Sequence, residues 1–92
     1  MAHNPYTVAA KAFGAAARYT AAADVDILIT NPTNGFAHSL RFLITTDDTV
    51  PASTLFATAG EIRSGRDKAL QLTAGERLWL AGDDVFDMSV ID

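Results

Sequence analysis

The chain has no cysteine. That excludes disulfide cross-links and thiolate metal sites, and it suits assembly in a reducing cytoplasm. Basic residues are few: seven Lys and Arg stand against eleven Asp and Glu, for a formal charge of −4 and a pI near 4.8. The seven are scattered along the chain, so no clustered phosphate-binding face is expected and nucleic acid is not an expected partner. Long hydrophobic runs are missing as well, which speaks against a membrane span. The start, "MAHNPYTVAA", has neither a basic stretch nor a long apolar run, so no signal peptide is expected. These absences lead to the expectation of a soluble chain made inside the cell.

Large apolar side chains are also scarcer than the 49% hydrophobic fraction suggests, because 17 of those residues are Ala. Alanine contributes little buried area, so the core must come from Leu, Ile, Val and Phe. Ninety-two residues allow one domain, which buries only roughly 60–65% of its unfolded surface. The core is thin, and a partner surface would add to it.

Residues 1–23 are Ala-rich, with Pro5, Tyr6, Phe13 and Tyr19 as the larger groups. Propensity alone favours a helix over residues 8–18. Gly14 interrupts it, however, and Tyr6, Val8, Phe13 and Tyr19 do not define one helical stripe. An extended arm over residues 1–15, leading into a strand around residues 17–20, is the favoured reading, and the helix stays open as the alternative.

From residue 24 the apolar period becomes two. In "DVDILITN", Val25, Ile27 and Ile29 share a face, and in "HSLRFLITT" so do Leu40, Phe42 and Ile44. The intervening "NPTNGF" holds two turn dipeptides, so the pair is expected to form a β-hairpin. Short strands or edge segments are expected at "TLFATA" and "EIRSG", and strands at "DKALQL", "RLWLAG" and "VFDMSVI". Strands at this spacing predict an all-β fold: a small antiparallel β-sandwich, Ig-like or jelly-roll-like, over residues 16–92. Leu78 and Leu80 then share the core face with Phe86, Met88 and Val90 from the next strand. Trp79 points the other way. It faces a neighbouring subunit, or it lies at one end of the core or under the N-terminal arm.

No residue pattern specifies a reaction. His38 and Ser39 are adjacent in a strand and face opposite ways, and no G-x-S-x-G turn occurs. Asp24 with Asp26, Asp47 with Asp48, and Asp83 with Asp84 and Asp87 form acidic clusters, but none has the spacing of a calcium loop. Turn carboxylates ordinarily bond local backbone N–H groups. Neither a nucleotide-binding glycine motif nor a zinc pattern is present, so no cofactor, metal site or catalytic residue is expected. "EIRSGRDK" reads as an exposed loop in which Arg63 and Arg66 could reach acidic groups on a neighbour.

The order of parts resembles a family of small β-sandwich virion proteins of tailed bacteriophages. The resemblance rests on "ARYTAAADVDILITN", on the following "NPTNGFAHSL" hairpin, and on the closing "ALQLTAGERLWLAGDDVFDMSVI" with its A-G-[DE] turn and terminal strand. The Ala-rich arm and Trp79 depart from the family pattern. The resemblance implies a non-enzymatic capsid decoration, or cement, protein. It would be made in the bacterial host cytoplasm and carried on the capsid surface of the virion. Its partners would be the major capsid protein and copies of itself, as a trimer. A neck, tail or fibre-base component is the alternative within the virion. From the residues alone a carbohydrate-binding module, stacking sugars on Trp79 and Tyr19, is the alternative of another class. The expected subunit or partner contacts are Pro5, Tyr6, Val8, Phe13, Trp79, Arg63 and Arg66.

Overall fold

The computed structural model describes residues 3–32 and 38–92. Eight strands form two four-stranded antiparallel sheets. They are β1 (His3–Val8), β2 (Arg18–Thr20), β3 (Val25–Thr30), β4 (Leu40–Thr45), β5 (Gly60–Ile62), β6 (Asp67–Leu72), β7 (Arg77–Gly82) and β8 (Phe86–Ile91). One sheet runs β1-β8-β3-β6 and the other β2-β7-β4-β5. Every connection except β4–β5 therefore crosses from one sheet to the other. This is the strand order of a jelly roll, and it differs from the immunoglobulin arrangement.

The alternating residues fill the space between the sheets as the period-two reading requires. Ile27 and Ile29 from β3, Leu72 from β6, Leu78 and Leu80 from β7, and Met88 and Val90 from β8 are all buried in one cluster. Val8, Tyr19, Leu40 and Ile62 join it, with Ala17 and Ala21. At about 1.5–3 kcal/mol for each fully buried large aliphatic side chain, this cluster is the main source of stability.

The expected β3–β4 hairpin does not form. β3 pairs with β6 and β8, whereas β4 pairs with β5 and β7. Alternation with one apolar face is satisfied equally by two strands stacked across a sandwich and by two strands paired in one sheet. The turn residues at 33–37, on which the hairpin expectation rested, lie outside the described residues. Asn31 anchors the crossover on its β3 side. It is buried, and its side-chain amide donates to the carbonyls of His38 and Ile62, each at 2.9 Å. Its backbone bonds Arg66 and Gly65.

From residue 3 to residue 10 the chain is extended, as favoured above, before Lys11 turns it with a φ of 55°, but this segment is not a free arm. His3–Val8 is an edge strand paired along its length with β8, from His3 opposite Ile91 to Val8 opposite Phe86. Pro5 is tolerated there because an edge strand need not donate on both sides. Residues 9–11 then run beside the end of β7, where Gly82 donates to Ala9 and Lys11 donates to Gly82. Only a single 3₁₀ turn, Ala15–Ala17, remains of the alternative helix. A second 3₁₀ segment, Ser53–Thr58, replaces the strand expected at "TLFATA".

Candidate functional site

The outer face of the β2-β7-β4-β5 sheet is covered by its own chain. Trp79 and Ala81 of β7 pack there with Phe13 and Ala59, and Leu43 and Phe56 close the cluster. Trp79 has no exposed surface, and its indole N–H donates to Thr45 Oγ1 at 2.8 Å. The Arg18 guanidinium lies 5.3 Å from the centre of the indole ring. Of the two placements expected for Trp79, the structure selects the one inside the chain, under the segment that follows β1. Val8 and Phe13 are buried as well. These three residues are therefore internal packing groups and not contacts for a partner. Tyr19 is 8% exposed, so neither it nor Trp79 offers a ring face on which a sugar could stack.

The remaining expected contacts are at the surface. Pro5 is exposed on β1 and Tyr6 is half-buried against the main cluster. Arg63 and Arg66 are exposed on the turn after β5, with Arg63 Nε 3.8 Å from Glu61. The acidic clusters are consumed locally: Asp24 accepts from the Ala74 N–H, Asp87 from Thr7 and Asp84 from the Val85 N–H. Asp83 meets His38 at 3.2 Å, beside a stacked Phe86 ring. Among the described residues no three His, Asp or Glu side chains gather as a metal site would require.

The sequence reading missed the most distinctive surface. β5 pairs with β4 only from Leu40 to Phe42, so among the described residues the far half of β4 has no paired strand on that side. Beside it lies an open groove of about 680 Å³. It is lined by Leu43 and Ile44 of β4, by Val50, Pro51 and Leu55 of the following loop and 3₁₀ segment, and by Asp47. Ile44, Val50 and Leu55 remain 36%, 51% and 42% exposed, and these are three of the four large hydrophobic side chains so exposed among the described residues. Contiguous apolar exposure of this kind marks a contact surface. Its sequence signal was Val50 and Leu55 inside the Pro-containing loop "TTDDTVPASTLF", where solvated turn residues are the norm.

The groove is held in shape by polar anchors. Asp48 accepts from Arg77 at 2.9 Å and pairs with Arg18 at 3.2 Å. The Arg77 hydrogen bond, with the two positive charges, holds the Asp48 carboxyl below its ordinary range. Arg77 also donates to the carbonyls of Thr46 and Gly75. Thr45 Oγ1 donates to the Asp47 carbonyl at 3.0 Å, and the Asp47 carboxylate accepts from the Thr49 N–H at 3.0 Å. Leu55 N–H donates to the Ala52 carbonyl, opening the 3₁₀ segment that carries Leu55. Comparison with protein-family models, with curated proteins and with solved structures finds no match to this chain.

Proposed function

We propose that this chain is a structural subunit of a tailed-phage virion that decorates the capsid by binding the shell of major capsid protein. The observation that carries this reading is the strand order, because double-sheet jelly rolls recur in viral capsid and lectin domains. One fold hosts many functions, so the choice between these two rests on the surface. A lectin-like site on Trp79 and Tyr19 would need ring faces open to a sugar, and both side chains are buried. The phage resemblance in the order of sequence parts adds to the first alternative. Pro5, Arg63 and Arg66 remain exposed and available to a partner.

The test is binding of the purified chain to emptied, expanded capsids of the phage that encodes it. Binding should saturate and should raise the temperature at which the shells open. Arg63→Glu with Arg66→Glu should weaken binding several-fold. The unfolding free energy should stay within about 0.5 kcal/mol, as is usual for exposed substitutions. Failure of the unaltered chain to bind capsids from either tested state, expanded or unexpanded, would refute the decoration role.

A further inference from the structure

We propose that the open edge of β4 accepts an extended segment of a different protein as an added strand, and that this segment is apolar at alternate positions and carries a Lys or Arg beside them. The edge and the groove would take such a strand whether or not the chain sits on a capsid.

The backbone alternation supplies the hydrogen-bonding groups. In an antiparallel ladder successive residues point their N–H and C=O to opposite sides of the strand. The Asp83 N–H donates to the Ser39 carbonyl, which assigns the odd-numbered residues of β4 to β7. Gly82, opposite Leu40, agrees: its N–H and C=O turn away from β4 to Ala9 and Lys11. Leu40 and Phe42 therefore direct theirs to β5, where they meet Ile62 and Gly60. Ile44 is next in this series and lies beyond the end of β5, so its N–H and C=O face the groove. Main-chain bonds to an unpaired edge give affinity to an added strand, and pockets for alternate side chains give it selectivity.

The lining fits the same occupant. Val50, Pro51 and Leu55 line the groove together with Leu43 and Ile44, and Val50 and Leu55 keep exposed apolar surface that could cover the apolar side chains of an incoming strand. Natural sheets protect open edges with charge, proline or cover. Here Pro51 belongs to the loop that lines the groove and the edge itself carries Leu43, Ile44 and Thr45. The charge at the groove selects the partner. Asp48 is engaged by two arginines, whereas the exposed Asp47 has no cation within ion-pair distance among the described residues. A second copy pairing through the same edge would bring one Asp47 towards another on chains that each carry −4. A basic segment removes that repulsion and matches Asp47.

A nitrogen-15 NMR titration of the full chain tests this, with the peptide acetyl-Lys-Val-Thr-Val-Thr-Val-amide as the probe. Saturable shifts are expected at the amides of residues 43–47. Blocking alternate peptide N–H groups by methylation should weaken binding at least about tenfold, because the main-chain bonds are lost. Asp47→Lys should weaken it by about tenfold through like-charge repulsion. Asp47→Asn, which can keep an oxygen for the Thr49 N–H, should weaken it less, by at most about fivefold. The proposal is overturned if residues 43–47 do not respond to millimolar peptide, or if the methylated peptide binds as well. It is equally overturned if these amides instead shift with the concentration of the chain alone, since the occupant is then a second copy.

Discussion

At the scale of single residues, two polar side chains do work that an apolar count does not anticipate. Asn31 is the only polar residue in the buried set among the described residues, and it ties the end of β3 to His38 and Ile62. Removing one partner of a buried hydrogen bond leaves the other without water, at about 1–3 kcal/mol for each group. Asn31→Leu should therefore lower the unfolding free energy by on the order of 3 kcal/mol in urea, with an unchanged slope; a loss below 1 kcal/mol would contradict this role. Tyr19 is the second case. Burial, the hydrogen bond to Asp92 at 2.7 Å and the charge of that carboxylate push its hydroxyl up to about 12. The folded value lies above the ordinary value of 10, so the contribution is complete below pH 10. It is lost as the pH rises from 10 to about 12. The thermal midpoint should fall across that window, and Tyr19→Phe should flatten the fall.

At the scale of elements, β1 belongs to the sandwich. It supplies Val8 to the main core and covers the edge of β8, and the chain after it supplies Phe13 to the cluster around Trp79. A chain lacking residues 1–13 should consequently show no cooperative unfolding transition by circular dichroism. A sharp transition near that of the full chain would mean that the segment is dispensable after all. Gly82 makes a similar point locally. A Cβ there would collide with Phe86, the Asp84 carbonyl and Val8, so Gly82→Ala should cost roughly 1–3 kcal/mol of overpacking. The strands themselves were legible because period-two alternation at Val25–Thr30 and Phe86–Ile91 follows directly from one buried face, and Leu40–Thr45 keeps the same sequence alternation although only Leu40 is fully buried. Their pairing was not, because alternation sets which face is buried and says nothing of which strand lies alongside. The groove escaped notice for a related reason. It arises where β5 stops short of Thr45 and a loop brings Val50 and Leu55 beside the gap, a juxtaposition that no local pattern encodes.

At the scale of the whole molecule, a 92-residue jelly roll has a thin core. It supplements that core by folding its own ends against itself: β1 and residues 9–13 at one end of the chain, β8 and the Asp92–Tyr19 bond at the other. Besides the ordinary edge strands of its two sheets, it leaves the far half of β4 unpaired beside an apolar groove, on an acidic, cysteine-free body. Such a design suits a subunit that is added to an assembly through a small contact and repeated many times, since multivalency on a shell raises avidity without enlarging each contact. The decisive measurement for the proposed decoration role is the copy number of this chain in purified tailed-phage particles whose genome carries this sequence, by quantitative mass spectrometry against the major capsid protein. The decoration reading predicts hundreds of copies per particle. About a dozen would assign the chain to a neck or tail ring, and a particle without it would contradict the account.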